Sequence, residues 1–219
     1  MPPVTVKGEL IQRVSHTIFL GVHINENVNW SCHINEVCAK VSKICGILYR
    51  VRHQLTTESM LNIYYTICYP HLIYCVSIWG STWPSFLNKL FIAQNKIVRC
   101  ILFMKKYEST SHIYTQLNIL NFKLIKKYCV FLLIYKNVNI FPGKKVFTVI
   151  DNVHNTRSNN VNLICPQFRT TLYNNSVLCD GPRLWNSLPT DLKNLLCTNN
   201  LFQFKKKIKS FLYSCQTSS

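Results

Sequence analysis

The sequence predicts a mainly α protein that begins with a β-hairpin and continues as a helical bundle and a small α+β C-terminal region. The run "TIFLGVHI" at residues 17–24 is β-branched and aromatic, as in strands. Apolar residues then recur at alternating steps of three and four over three heptads, which indicates an amphipathic helix. The 219 residues are 48% hydrophobic, enough for one core with a small appendage.

The N-terminal hairpin is expected within residues 1–28. Residues 4–24 read as two or three short strands, and Lys7 and Gly8 offer a turn between them. The polar residues 25–27 end the strand-like pattern. We therefore expect this segment to precede the helices as a separate unit.

The clearest helix follows the hairpin, with Asn29 or Ser31 as its N-cap. Its apolar stripe contains Ile34, Val37, Val41, Ile44, Leu48, Val51 and Leu55. Lys40, Lys43 and Arg50 lie off that stripe, so one face can pack while another meets solvent or phosphates. A coiled coil is an alternative for three heptads. Packing within the chain is the preferred interpretation.

The next helix carries the uncharged stretch "YPHLIYCVSIWGST" at residues 69–82. Thr56 or Thr57 can cap it, and Glu58 lies in its first turn, where the helix dipole favours an acid. Because residues 59–88 lack any charged side chain, a membrane span of about 20 residues is an alternative. Polar residues interrupt the run and basic residues flank both ends. A buried helix that Pro70 kinks or divides is preferred.

A third amphipathic helix begins near Pro84, a residue suited to a first helical turn. Its apolar stripe is interrupted only by Gln94 and contains Leu87, Leu90, Ile97, Ile101 and Met104. The opposite side carries Lys89, Lys96, Arg99 and Lys106. These helices together predict a bundle over residues 29–106.

The remaining chain is predicted as a helical extension, a linker and a C-terminal region. Asn121 can cap a helix through "FKLIKKYCVFLLIYKN" in the extension 107–140. Residues 141–165 have weak periodicity and read as a linker. Residues 166–219 are expected to contain a hairpin around Asn174 and Asn175, a short helix through "GPRLWNSLP" and a lysine-rich helix at 202–212.

The carboxylates argue against a metal-dependent active site. Two-metal polymerases and nucleases need several Asp or Glu converging on the ions. Residues 1–150 contain no Asp, the aspartates are Asp151, Asp180 and Asp191, and the five glutamates are isolated. We therefore expect no cofactor in this chain and no enzymatic activity of the chain in isolation.

The cysteines and histidines offer one arrangement with metal-ligand spacing. Cys68, His71 and Cys75 share a face on an unbroken helix, which would suit zinc, but no fourth ligand is close in sequence. Core packing is preferred. The eleven cysteines lack a C-x-x-C pair and read as small buried hydrophobes in a reducing compartment.

The charge balance predicts a polyanionic partner. The chain has 25 Lys+Arg against 8 Asp+Glu and a net charge of +17, which favours nucleic acid or an acidic membrane face. The first residues are neither a signal peptide nor a transit peptide, so a cytoplasmic or nuclear, non-secreted protein is expected. Trp79, Trp83 and Trp185 can stack on bases, but core packing is preferred for them.

Three segments, in order and over nearly the whole chain, resemble a known family. They are "FLGVHINENVNWSCHI" with the heptad helix after it, "YPHLIYCVSIWG", and "GPRLWNSLP…FKKKIKSFL". The chain resembles the primer-grip, thumb and post-thumb part of non-LTR (LINE-type, jockey/CR1-like) retrotransposon reverse transcriptases. Ile18 stands where the family often has a basic residue, and Asn25 where it often has Asp.

The resemblance implies a role in holding a template–primer. Phe19, Leu20 and Gly21 would belong to the primer grip, and the helices of residues 30–106 to the thumb. The basic helix faces would contact the nucleic-acid backbone without reading sequence; they carry Lys40, Lys43, Arg50, Lys89, Lys96, Arg99 and Lys106.

The family's catalytic aspartates lie upstream of the primer grip, in a palm that uses Mg²⁺. The chain is therefore expected to be a fragment without that palm, with RNA/DNA template–primer as its partner and possibly the rest of the parent polymerase as a second one. A non-enzymatic, basic helical protein-interaction module is the alternative. A small membrane protein is a second, less favoured alternative.

Overall fold

Two short antiparallel hairpins open the chain. The computed structural model describes residues 4–140, 146–150, 162–198 and 200–217. Strands β1 and β2 form the first hairpin, and β3 and β4 form the second. They span Thr5–Val6 (β1), Glu9–Leu10 (β2), His16–Phe19 (β3) and Val22–Asn25 (β4).

Each hairpin has a two-residue turn in the left-handed conformation. Lys7 and Gly8 have φ of 51° and 85°, and Leu20 and Gly21 have φ of 48° and 76°. Two positive φ values in succession match the twist of antiparallel strands in such turns. The sequence indicated the turn at Lys7 and Gly8, whereas the turn at Leu20 and Gly21 adds a second hairpin.

The rest of the described chain is helical, so the prediction of a mainly α fold is confirmed. The helices are α1 Ser31–Val51, α2 Thr57–Ile63, α3 Tyr69–Ile73, α4 Val76–Trp79, α5 Pro84–Ile101, α6 Ser111–Gln116, α7 Phe122–Asn139, α8 Thr171–Asn174, α9 Val177–Asn186, α10 Thr190–Lys193 and α11 Leu201–Thr217. A π-helical turn, Tyr64–Cys68, joins α2 to α3, and a 3₁₀ turn, Asn194–Cys197, follows α10.

Side-chain caps fix two helix starts where the sequence predicted them, at Thr56 and Asn121, whereas the predicted cap of α1 at Asn29 or Ser31 is wrong: Trp30, in a left-handed conformation, is its N-cap and no side chain caps it. Asn29, two residues before α1 begins, still accepts a hydrogen bond from the Ser31 amide through its side-chain oxygen at 3.1 Å. Thr56 Oγ1 accepts from the Ser59 amide at 3.2 Å, and Asn121 Oδ1 accepts from the Leu124 amide at 3.1 Å. These bonds satisfy amides that a helix start leaves without a partner.

Helices α1 and α5 lie side by side and run in the same direction. Near their starts, Lys89 Nζ donates to Asn35 Oδ1 at 3.2 Å. At their ends, the Arg52 guanidinium lies 5.2 Å from the centre of the Phe103 ring. The predicted stripes face the core: Ile34, Val41, Leu48, Leu90, Ile97 and Ile101 are buried. The heptad stripe of α1 therefore packs within this chain.

The uncharged stretch does divide, but after Pro70 rather than at it. Pro70 has no amide proton, so it cannot donate the helical hydrogen bond to the carbonyl one turn earlier. The preceding turn, Tyr64–Cys68, is a wider π-helical turn. Helix α3 ends at Ile73, and Cys75 adopts a left-handed φ of 52° before α4. Within the described ranges, no helix has the length and apolar character needed to cross a membrane.

Helix α7 is central to the second half of the molecule, where it packs against α3, α4, α5, α9 and α11. Gln216, in the last turn of α11, clamps the segment before α7. Its Oε1 accepts from the Asn121 amide at 3.0 Å, and its Nε2 donates to the Ile119 carbonyl at 3.0 Å. Buried residues from α1 through α11 form one continuous core.

The predicted hairpin around Asn174 and Asn175 is wrong. Helix α8 ends at Asn174, and the Asn174 and Asn175 amides donate to the carbonyls of Thr170 and Thr171 at 3.1 Å each. These local helical bonds occupy the groups that a strand partner would need. The predicted helices "GPRLWNSLP" and 202–212 are confirmed as parts of α9 and α11.

The predicted linker 141–165 falls mostly on residues 141–145 and 151–161, which lie outside the described residues. On either side of the second gap, an isolated bridge pairs Val149 with Leu163. The domain boundaries stay a prediction.

Candidate nucleic-acid interface

The turn at Phe19, Leu20 and Gly21 forms the exposed tip of the second hairpin. The side chains of Phe19 and Leu20 are exposed. The Leu20 carbonyl accepts a 2.6 Å hydrogen bond from the Tyr74 hydroxyl, which ties the tip to the break between α3 and α4. A Cβ at Gly21 would lie 4.0 Å from the Tyr74 ring, which is an ordinary contact distance. The positive φ of Gly21, rather than crowding, therefore favours glycine at this position. The tip is therefore anchored through its backbone and presents apolar side chains outward.

The predicted cations of α1 lie on its exposed side. Lys43 and Arg50 are exposed and seven residues apart, which places them on one face about 10.5 Å apart along the axis. Lys40 Nζ lies 3.5 Å from the Glu36 carboxylate. Part of the charge of Lys40 is therefore balanced, whereas the described residues provide no carboxylate partner for Lys43 or Arg50.

Lys89 and Lys96 of α5 lie along its seam with α1. Burial raises the pKa of the Cys38 thiol of α1, and the positive charges of Lys89 and Lys96 oppose that rise. Lys43 is five residues beyond Cys38, or about 140° further around α1. The structure thus brings Lys89 and Lys96 together in the seam and separates them from Lys43 and Arg50.

A groove of about 620 Å³ opens where α1 and α5 end. We call it the basic cleft and define it by Tyr49, Arg52, Lys96, Arg99, Phe103, Lys105 and Lys106. None of the described residues that line it is an Asp or Glu. Three of the predicted cations, Lys96, Arg99 and Lys106, therefore meet in one place.

Sequence reasoning missed Arg52 and Lys105 of the basic cleft. The sequence pattern extends to Leu55 and to Lys106, whereas α1 ends at Val51 and α5 at Ile101, so the helical faces assigned there do not apply to the residues after these ends. The available signal was their position next to other cations at two helix ends, where the helix dipole favours positive charge.

Two aromatic rings lie against Arg52 in the cleft. Its guanidinium lies 4.0 Å from the centre of the Tyr49 ring and 5.2 Å from that of Phe103. Arg99 Nε donates to the Glu108 carbonyl at 3.0 Å, which fixes the loop after α5. Cations and rings therefore alternate along the cleft wall.

Phe103 has an unusual backbone for a bulky residue. The chain leaves α5 through a pair of hydrogen bonds, from the Phe103 amide to the Cys100 carbonyl at 3.3 Å and from the Met104 amide to the Arg99 carbonyl at 2.9 Å. This motif usually has glycine at the left-handed position, which Phe103 occupies here with φ of 56°. A side chain there costs about 1 kcal/mol.

The Cys68, His71 and Cys75 arrangement does not form a metal site. Burial raises the pKa of the Cys68 thiol to about 12. The thiol therefore keeps its proton, whereas zinc binds the deprotonated thiolate. The helix is broken before Cys75, and within the described residues no group of three His, Cys, Asp or Glu is arranged to hold a metal. The interpretation of cysteines as buried hydrophobes is wrong for Cys32 and Cys165, which are exposed.

The tryptophans divide between core and surface. Trp79 and Trp185 are fully buried, as predicted. Trp79 Nε1 donates to the Tyr74 carbonyl at 2.7 Å. The core assignment of Trp83 is wrong: it is 51% exposed, because it lies in the loop before α5. It borders a cavity of about 440 Å³ together with Trp30 and Tyr173.

Comparison with known proteins relates part of this chain to the RNA-directed DNA polymerases of non-LTR retrotransposons. The relatives belong to the mobile element jockey: that of Drosophila funebris is 27% identical over 104 residues, and that of Drosophila melanogaster is 30% identical over 104 residues. No family model and no solved structure matches the chain. The resemblance stated from the sequence is confirmed for this partial region.

The matched region covers 46% of this chain and 11% of each jockey polymerase. The chain thus spans a small part of the length of the curated relatives that it matches.

Proposed function

We propose that this chain binds the template–primer of a reverse transcriptase through the phosphate backbone and without reading sequence. The observation that carries the proposal is the set of cations on the parallel pair α1 and α5: Lys43 and Arg50 lie on the exposed face of α1, and Lys96 lies along the seam between the two helices. Within the described residues, none of these three forms an ion pair. Cations that keep their charge toward solvent can replace the counterions of a nucleic acid.

The hairpin tip at Phe19, Leu20 and Gly21 is proposed to position the primer end. Its left-handed turn and the Tyr74 hydrogen bond hold the backbone in one place, while its apolar side chains remain exposed. Ribose and base surfaces are apolar enough to meet such side chains. The tip and the cations of α1 belong to consecutive elements of the fold, since β4 is followed by α1.

We further propose that the chain does not polymerise alone, because the catalytic aspartates of the parent enzyme lie in another part of that enzyme. The described aspartates do not fit a Mg²⁺ site. Asp180 Oδ2 lies 2.6 Å from Lys126 Nζ, and Asp191 lies at the start of α10. When bound by a palm, Mg²⁺ would supply the activation of the primer hydroxyl, and this chain would hold the nucleic acid. Such a role belongs to the cytoplasm or nucleus.

The test is binding of a labelled RNA–DNA duplex to the full chain, followed by fluorescence anisotropy at increasing salt. Affinity should fall steeply, and the double variant K43Q/R50Q should lower the slope of log affinity against log salt by about 2. An affinity that does not change with salt would exclude phosphate contacts. Incorporation of deoxynucleotides on a primed RNA template by the chain alone would overturn the non-catalytic part.

A protein-interaction module is the second candidate, and the N-terminal hairpins favour it. The exposed apolar side chains there include Leu10, Ile11, Val14, Ile18, Phe19 and Leu20. Exposed apolar patches of this kind mark interaction sites, and the rest of a parent polymerase is one fitting partner. Sedimentation velocity at several concentrations should show association if these hairpins bind a second copy.

A further inference from the structure

We infer that the basic cleft is a binding site for single-stranded nucleic acid, in which an unpaired base stacks on the exposed rings while its phosphates meet the surrounding cations. The inference rests on the proposed function and adds a ligand class to it. The duplex would contact the outer face of α1, and an unpaired strand would enter the cleft at the far end of the same helix.

The charge of the cleft exceeds what its helix ends need. Arg50 and Arg99 already lie in the last turns of α1 and α5, where a cation stabilises the helix dipole. Lys105 and Lys106 lie past the end of α5. Within the described residues neither forms an ion pair, and the cleft lining provides no carboxylate. This unbalanced positive charge fits a polyanion.

The aromatic rings of the cleft are exposed to solvent, although large aromatic side chains are usually buried. Tyr49 is 57% exposed and Phe103 is 46% exposed. The Arg52 guanidinium lies against both, and a guanidinium between rings offers a planar face on which a base can stack. Tyr107 is also exposed, with Lys106 Nζ 5.6 Å from its ring centre.

The backbone of Phe103 supports a role beyond packing. Glycine at this left-handed position would remove the strain, and the half-exposed ring contributes little to the core in return. Strained residues at the edge of a groove often belong to a binding site. The ring of Phe103 is therefore the residue we assign to base stacking.

The shape of the cleft selects a single strand over a duplex. Its volume of about 620 Å³ lies in the usual range of sites for small ligands, about 300–1,000 Å³. In a duplex the bases stack on one another and cannot reach a ring inside a groove of that size. In a single strand each base presents a free face, and the phosphates on either side can reach Arg52 and Lys105.

The charge contribution is tested with two double variants that remove the same charge. R52Q/K105Q changes the cleft, and K43Q/R50Q changes the outer face of α1. The probes are a labelled short oligothymidylate and a labelled RNA–DNA duplex, measured by fluorescence anisotropy with the full chain. R52Q/K105Q should weaken oligothymidylate binding by about tenfold or more, and K43Q/R50Q should weaken it less than threefold or so. Circular dichroism and thermal melting verify the fold of both variants.

The stacking contribution is tested with Phe103→Gly and an abasic oligonucleotide of the same length. The unaltered chain should prefer oligothymidylate over the abasic strand by about tenfold. Phe103→Gly should reduce that preference to about threefold or less, because the assigned ring is gone while Tyr49, Arg52 and the phosphate contacts remain. Since glycine suits the left-handed backbone, this variant should melt at or near the temperature of the unaltered chain.

The outcomes separate this inference from the proposed function. Equal losses of oligothymidylate affinity in the two double variants, or an unchanged base preference in Phe103→Gly, would overturn the cleft site and leave duplex binding standing. Oligothymidylate binding that depends on the cleft, together with no duplex binding, would overturn the proposed function alone. If neither probe binds the unaltered chain, both are wrong.

Discussion

The side-chain amide of Gln94 donates a 2.9 Å hydrogen bond to the Tyr64 hydroxyl in the middle of the core. The same amide nitrogen donates to the Leu120 carbonyl at 2.9 Å. One polar side chain thus joins α5, the π-helical turn and the segment before α7. This arrangement explains why a glutamine interrupts the apolar stripe of α5.

Gln94→Leu should therefore destabilise the protein although leucine continues the stripe. It leaves the Leu120 carbonyl and the Tyr64 hydroxyl without their partner in a buried position; because it also removes the buried Gln94 Oε1, which has no partner, the net cost is about 1–2 kcal/mol. Urea denaturation followed by circular dichroism measures the change in the free energy of unfolding. Gln203→Leu on the exposed face of α11 is the matched control and should change stability by less than about 0.5 kcal/mol. Equal effects of the two substitutions would contradict the role of Gln94.

Asp180→Asn should lower stability through the contact between α7 and α9. Asp180 Oδ2 lies 2.6 Å from Lys126 Nζ and accepts from Ser81 Oγ at 3.3 Å, and the Lys126 and Asp180 side chains are only 17% and 30% exposed. Loss of such a charge-assisted bond costs about 1–3 kcal/mol. Glu26→Gln, which breaks the exposed pair with Arg13, should cost less than about 1 kcal/mol in the same thermal and urea titrations. A larger loss for Glu26→Gln would reverse this assignment.

His33 should make the protein less stable in mild acid. It is 4% exposed, and burial, followed by the charges of His23 and Lys40, lowers its pKa from 6.5 to about 4. Below pH 6.5 the unfolded chain takes up a proton that the folded protein refuses until near pH 4. Its contribution is therefore complete above pH 6.5 and declines toward pH 4, by up to roughly 3 kcal/mol.

His33→Phe should flatten that part of the pH profile of the free energy of unfolding. The Nε2 atom of His33 is buried without a hydrogen-bond partner, so replacing the imidazole with the phenyl ring of Phe breaks no hydrogen bond at that atom. His112→Phe, at an exposed position of α6, is the control and should leave the slope unchanged. If His33→Phe and the unaltered chain lose stability in parallel between pH 6.5 and 4, another group is responsible.

Two glycine substitutions should act in opposite directions. A Cβ at Gly80 would lie 2.3 Å from the Val76 carbonyl oxygen, so Gly80→Ala must distort the end of α4 and should cost about 1–3 kcal/mol. A Cβ at Gly46, inside α1, would have nothing within 4 Å. Gly46→Ala should therefore stabilise by about 0.5–1 kcal/mol. Melting temperatures of the two variants test the pair, and a loss of stability in Gly46→Ala would count against the exposed position of that residue.

The helices were predictable because their signals are local. The stripe from Ile34 to Leu48 is a repeat within one helix, and the caps Thr56 and Asn121 act over three residues. The basic cleft was not predictable, because it depends on α1 and α5 running in parallel so that Arg52 and Phe103 meet. That direction is set by packing across the molecule.

Two other failures concern residues whose type suits more than one environment. Trp83 has the size of a core residue, but it lies in the loop before α5 and is exposed, whereas Trp79 is buried and stacks on Phe122 with ring centres 6.0 Å apart. Asn174 and Asn175 suit a hairpin turn, but here the chain closes a helical turn instead. In both cases the residue type suits two environments, so the sequence alone does not decide between them.

The Gln216 clamp has a consequence for the timing of folding during synthesis. Its partner Asn121 lies 95 residues earlier in the chain. At a ribosomal rate of about 5–20 residues per second, the Ile119 carbonyl and the Asn121 amide must wait about 5–20 seconds for Gln216. During that interval these two groups have only water as a partner, and the surfaces of α6 and α7 that α11 covers in the finished fold are exposed.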